Sequence, residues 1–246
     1  SFMQRSYDNV IHDVAIQDLP VVMCLDRGGL VGEDGVTHHG VFDMAAFGAV
    51  PGLTIAAPMN EPELRNMMYT ALGSGHPFMI RYPRGHGEGL PWRGEKFETL
   101  PVGRGRRLRE GADVALLTGG TVGNAAARAA GRAAAEGVSV AHYDLRFVKP
   151  LDEALLDEVG RKFRRVVTVE DGSLRGGVGE AVAAFFNGRG YDVRVQRLGI
   201  GDEWVEPARP GSCTPCAATT RRAFCAPCSI PARKFSATHF FGTNSV

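Results

Sequence analysis

Apolar side chains recur at Phe2, Met3, Tyr7, Val10, Ile11, Val14 and Ala15. This 3.6-residue period predicts an amphipathic helix over residues 1 to about 16. The helix feeds Leu19-Pro-Val-Val-Met-Cys-Leu25, an unbroken apolar run that reads as a buried strand. A short helix is expected from Phe42 to Phe47, a strand over Leu53–Ala57, a helix over Glu61–Leu72 and a strand over Pro77–Tyr82. From His86 to about Pro101 the pattern lapses into Gly, Pro, Trp92 and mixed charge, which marks an interdomain linker. A second series follows, with strands at 114–117, 138–144, 165–169 and 193–198 and helices at 122–136, 152–162 and 179–188. Strands alternating with helices of these lengths predict an α/β protein with two consecutive, mostly parallel sheets covered on both faces.

Between the first strand and the short helix lies Asp26-Arg-Gly-Gly-Leu-Val-Gly-Glu-Asp-Gly-Val-Thr-His-His-Gly40. Its glycines allow positive φ and close backbone approach. Loops leaving the carboxyl ends of parallel strands are where open α/β sheets bind ligands. Arg27 suits a phosphate or carboxylate, and His38 and His39 can move protons near neutral pH. A solvated glycine-rich surface loop is the plain alternative, but such loops repeat Lys, Glu and Ser rather than mixing chemistries. Two other glycine clusters, Thr118–Gly123 and Arg175–Gly179, lack the full dinucleotide spacing and read as tight strand-to-helix turns.

With 246 residues, 44% of them hydrophobic, the chain can fill one large core or two smaller ones. A net charge of +1 gives no electrostatic case for nucleic acid or an acidic membrane. No apolar run approaches the ~20 residues that span a bilayer, and residues 1–5 lack a signal-peptide core. Opening at Ser1 inside a helical pattern, the sequence is expected to be part of a longer one. Only Cys24 lies in the body, the other four cysteines crowding into the last 35 or so residues, so a cytoplasmic protein without a disulfide framework is expected.

Several stretches together resemble the 1-deoxy-D-xylulose-5-phosphate synthases, thiamine-diphosphate enzymes of transketolase type. They are Phe2-Met-Gln-Arg-Ser-Tyr-Asp8, Asp26 to His38, Arg81-Tyr-Pro-Arg-Gly85, Asp144-Leu-Arg-Phe-Val-Lys-Pro-Leu-Asp152 and Val169 to Gly179. The likeness runs from Phe2 to about Glu206. It implies condensation of pyruvate with glyceraldehyde 3-phosphate and loss of carbon dioxide, using thiamine diphosphate and Mg²⁺ in a homodimer. It implies the later part of a pyrimidine-binding domain (1–85), a linker (86–101), a transketolase C-terminal-like domain (102–206) and an aberrant tail (207–246). The family's Gly-Asp-Gly metal motif and its cofactor-activating glutamate have no counterpart in these residues. No metal ligand is therefore assigned, and the segment alone is expected to be inactive.

Carried over by this resemblance, Phe2 stacks on the aminopyrimidine with Arg5 beside it, Phe2 being otherwise an ordinary core residue. Arg27 and Arg84 hold the acceptor's phosphate, which two guanidinium forks do better than lysines; structural ion pairing is the alternative. Asp34 and His38 are the catalytic candidates, contacting the acceptor's hydroxyl and carbonyl oxygens. His39 has no such match and is expected behind the site or facing solvent, and His86 is left undecided. The C-terminal domain is assigned packing and dimer contacts only.

The tail carries Cys213-x₂-Cys216 and Cys225-x₂-Cys228, formally a zinc knuckle. Eight residues separate the pairs, fewer than the ~12–20 of a zinc ribbon. Its Arg, Ala, Pro, Ser and Cys bias reads instead as out-of-frame translation of a GC-rich gene, expected to be disordered. Two rival readings remain: the β subunit of a thiamine-dependent 2-oxo acid dehydrogenase, and a noncatalytic α/β interaction module with a zinc-binding tail.

Overall fold

The computed structural model describes residues 2–206 and arranges them around two sheets. The tail and its four cysteines, Cys213, Cys216, Cys225 and Cys228, lie outside the described residues. The first periodic segment is helical, as 3₁₀ Phe2–Ser6, α1 Tyr7–Asn9 and π Val10–Ala15. It buries Val10 and lays Met3, Ile11 and Ala15 against Phe47, Leu53, Ile55 and Met79.

The first sheet then takes shape from β1 (Val22–Leu25), β2 (Thr54–Ala56) and β3 (Phe78–Arg81). Helices α2 (Asp43–Gly48) and α3 (Glu61–Leu72) connect them. Asn60 starts α3: its side chain accepts from the Glu63 amide at 3.1 Å, with Glu61 and Glu63 in the first turn. The three strands pair in parallel, in the order β1-β3-β2.

The second sheet contains β4 (Arg106–Arg109), β5 (Val114–Thr118), β6 (Val140–Asp144), β8 (Arg165–Ser173) and β9 (Arg194–Ile200), in the order β4-β6-β5-β8-β9. All its pairs are parallel except β4 with β6. Helices α4 (Val122–Ala135), α5 (Glu153–Lys162) and α6 (Val178–Gly188) cover it. Gly120 and Gly176, at φ +83° and +69°, make the tight turns into α4 and α6 that their sequence predicts.

Two strands escaped the periodicity. One is β4; the other is β7 (Phe147–Lys149), three residues long, which pairs antiparallel with β2 and so joins the first sheet. The two sheets are therefore not built from strictly consecutive segments. Phe147 packs into the first core with Ala56, Met67, Phe78 and Leu100.

Between β3 and β4 there is no helix or strand, yet the connection is held along its length by α3. Glu61 accepts from the Gly89 amide at 2.7 Å, and Arg65 donates to the carbonyls of Trp92 (2.6 Å) and Lys96 (2.9 Å). Asn66 and Thr70 accept from the amides of Glu98 and Leu100. A buried ion network also joins the two units: Glu63 binds Arg106 at 2.7 Å and Arg146 at 2.8 Å, and Arg106 reaches Asp144 at 3.1 Å. No helix among the described residues is long and apolar enough to cross a membrane.

Candidate functional site

Strands β1 and β3 are parallel neighbours, in a register that sets Leu25 beside Arg81. Their carboxyl ends therefore emerge side by side. Arg27 lies two residues past one end and Arg84 three past the other, so the sheet itself converges them. The Gly28 amide donates to the Tyr82 carbonyl at 2.8 Å, extending the pairing past the strands. Gly29 and Gly40 exchange two backbone bonds, at 2.7 and 2.9 Å, and close the loop at its base. A Cβ at position 40 would stand 2.1 Å from the Arg27 carbonyl oxygen, so the closure requires glycine. Arg27 itself has φ +60°, a left-handed conformation uncommon for a residue with a side chain.

Within the loop, the 3₁₀ turn Gly32–Asp34 delivers the Asp34 carboxylate between the two arginines. Arg84 Nη1 donates to Asp34 Oδ2, and Arg27 Nε lies 3.9 Å from the same oxygen. Arg27 Nη1 also donates to Asp26 at 2.5 Å, while its buried Nε has no hydrogen-bond partner. The hydrogen bond from Arg84, with the charges of Arg84, His38 and Arg27, outweighs desolvation and holds the Asp34 carboxyl below the usual range. Two guanidinium groups thus converge on one anionic oxygen.

The Phe2 and His38 rings meet edge to face, with centroids 5.5 Å apart. His38 Nδ1 is 2.9 Å from the Thr37 hydroxyl. Most of Phe2 remains exposed, at 60%, so it is not the core residue its periodicity alone would suggest. Arg5 is exposed on the same helical turn, and His86 is exposed two residues beyond Arg84. The structure therefore brings together Phe2, Arg27, Asp34, His38 and Arg84, and among the described residues no contact draws His86 in.

His39 is corrected from the solvent-facing alternative: it is buried. Its Nδ1 accepts from the Val31 amide at 3.1 Å, which puts the ring proton on Nε2, 3.1 Å from the Val205 carbonyl. It fastens the loop to the end of the second unit.

Sequence reasoning passed over three residues beneath the loop. Arg81, fully buried, donates from Nε to Asp43 Oδ2 at 2.6 Å, from Nη1 to Asp171 Oδ1, and from Nη2 to the Gly40 carbonyl at 3.3 Å. Burial opposes its charge, but Asp171 and Asp43 outweigh burial and raise its pKa above the usual arginine value. The available signal was an arginine ending an otherwise apolar strand, a position that demands a buried partner.

Next to Asp171, Glu170 is also buried. It accepts from the amides of Val178 (2.8 Å) and Gly179 (2.9 Å) at the start of α6. Burial wins over those bonds and pushes its pKa up to about 7.

Among the described residues no cluster of three or more His, Cys, Asp or Glu is placed to hold a metal ion. The exposed face of Phe2 fits an aromatic ring; the arginine pair fits a phosphate.

The family model for the transketolase pyrimidine-binding domain matches residues 1–88, and that for the transketolase C-terminal domain matches residues 103–221. The chain is 59% identical to the 1-deoxy-D-xylulose-5-phosphate synthase of Bacteroides thetaiotaomicron over 208 residues, 84% of this chain and 32% of that enzyme. It is 53% identical to the enzyme of that name from Parabacteroides distasonis over 207 residues, 84% of this chain and 33% of that one. It thus spans about a third of the length of these relatives. Among solved structures, a split-gene transketolase described as an inactive β4 tetramer superposes with a TM-score of 0.72 at 28% identity, covering 82% of this chain and 64% of that one.

Proposed function

Since the chain belongs to the transketolase family through both of these domains, we propose that it forms the acceptor-binding side of a 1-deoxy-D-xylulose-5-phosphate synthase. The reaction is the condensation of pyruvate with glyceraldehyde 3-phosphate, with loss of carbon dioxide. The observation that carries this reading is the pair Arg27 and Arg84, converged by adjacent parallel strands on one anionic oxygen beside His38. Two guanidinium forks suit a phosphate dianion, which would take the place Asp34 holds between them.

In this reading the residues divide the work by position. Arg27 and Arg84 fix the phosphate end of the aldehyde and so set where its carbonyl lies. Asp34, released from Arg84, accepts from the acceptor's hydroxyl. When the Thr37 hydroxyl donates to Nδ1 of His38, the imidazole proton sits on Nε2, from where it can donate a hydrogen bond to the aldehyde oxygen as negative charge builds there during carbon–carbon bond formation. Phe2 offers its exposed face to the aminopyrimidine of thiamine diphosphate, with Arg5 beside it. That cofactor, when bound, supplies the nucleophilic carbon; Mg²⁺ would be held, with its diphosphate, by residues other than those described.

We read 1–85, 86–101 and 102–206 as pyrimidine-binding domain, linker and C-terminal domain of a cytoplasmic, homodimeric whole. By its likeness to the inactive split-gene chain, this segment by itself should not catalyse the condensation.

The test grafts residues 2–206 into the matching segment of the Bacteroides thetaiotaomicron enzyme and changes Arg84 to Ala. The KM for glyceraldehyde 3-phosphate should rise by about tenfold or more, as when a charge-assisted hydrogen bond of about 1.5–3 kcal/mol is lost, with the KM for pyruvate nearly unchanged. Equal effects on both substrates would remove the phosphate role.

A further inference from the structure

Both arginines of the acceptor site hang on backbone that a single buried ion cluster holds. Arg27 directly precedes Gly28, whose amide is bonded to the Tyr82 carbonyl next to Arg81. Arg84 follows Arg81 by three residues. Arg81 in turn touches the loop base through the Gly40 carbonyl, the first turn of α2 through Asp43, and the end of β8 through Asp171. A second tie runs from the Ser173 amide to the Val41 carbonyl at 2.8 Å.

Fit at this junction is close. A Cβ at Gly29, where φ is +81°, would meet Asp171 Oδ2 at 2.8 Å, and one at Gly28 would meet Arg81 Nη2 at 3.1 Å. The loop base is thus packed directly on the Arg81–Asp171 pair, at the carboxyl edge of the second sheet.

We propose that Asp171, a residue of the C-terminal unit, is a positioning residue for the acceptor site, holding Arg81 so that Arg27 and Arg84 stand at the separation of one phosphate. The C-terminal unit then does more than pack: it sets the geometry of a site whose ligand-touching residues all lie in the first unit. Asp43 cannot substitute, because it holds only the Nε edge of Arg81 and leaves the Nη atoms without a carboxylate. This inference rests on the phosphate reading above, and its test separates the two.

The 246-residue chain is compared with Asp171→Asn, Asp171→Glu and Glu63→Gln by amide hydrogen exchange and by titration with glyceraldehyde 3-phosphate and with inorganic phosphate. Glu63→Gln is the control. It breaks the other ion network between the two sheets, whose partner Arg106 lies on β4, across β6 and β5 from β8.

Asp171→Asn should speed exchange of the 27–40 amides by about tenfold or more, a local opening that leaves α3 and α4 protected. It should weaken binding of both phosphates by at least about tenfold, with Asp171→Glu recovering part of each and Glu63→Gln changing neither. An unchanged loop in Asp171→Asn, or equal loosening by Glu63→Gln, would overturn the positioning role. If the parent chain binds neither phosphate, the acceptor reading fails, while loop exchange still decides what Asp171 does.

Discussion

Arg81→Met puts the buried ion cluster to the severest test. Arg81 is 2% exposed, and its guanidinium stands between the carboxylates of Asp43 and Asp171, themselves nearly buried. Methionine keeps much of the length and removes the charge, leaving two carboxylates facing each other with no cation. Stranding one buried partner costs about 3–5 kcal/mol. At about 2–4 °C per kcal/mol for a chain of this size, the unfolding midpoint should fall by roughly 6–20 °C. Thermal and urea unfolding of the 246-residue chain, followed by circular dichroism at neutral pH, would read it. Arg81→Met with Asp171→Asn should recover part of the loss, because the two sites share one network and couple by about 0.5–3 kcal/mol. A loss under about 1 kcal/mol in the single variant would mean that water or protons already neutralise those carboxylates, and the cluster would not be the brace described.

Gly40→Ala should abolish loop closure, since the new methyl would overlap the Arg27 carbonyl; loss of hydrogen-exchange protection at Gly29 would read it, and retained protection would refute it. Asp34→Ala should strengthen binding of inorganic phosphate severalfold by vacating the oxygen position between Arg27 and Arg84; weaker binding in a titration would contradict an anion site there. Stability should depend on pH in two opposed ways. Glu170, raised by burial from 4.5 to about 7, and Asp144, raised by burial from 3.8 to about 6, hold their protons more tightly folded than unfolded. Their contribution is therefore present in acid and lost as pH rises through about 6 to 7. His142, lowered by burial and by Arg106 and Arg109 from 6.5 to about 4, contributes above 6.5 and loses its share as pH falls toward 4. Between pH 4.5 and 6.5 the fall of the midpoint with rising pH should flatten in Glu170→Gln and steepen in His142→Gln; unchanged slopes would refute both assignments.

Much of this architecture is local and so legible in the residues themselves. The Glu61–Leu72 helix follows from its Asn60 cap and acidic first turn, and β1, β2 and β3 from short apolar runs, because periodicity and capping act within a few residues. The glycine loop announced itself by its mixed chemistry. Hidden from such a reading were β7, whose three residues are too few to show a period, and the partner of Arg81, which lies 90 positions away in sequence. His39 was expected behind the site or facing solvent, and only packing decided for the former, because burial and backbone bonds depend on what lies above it. The order of residues was enough to specify most of the elements, and its resemblance to a known family nominated Arg27, Asp34, His38 and Arg84. That Arg27 and Arg84 face the same oxygen was settled only by the sheet, since strand pairing, and not proximity along the chain, sets where two loops emerge.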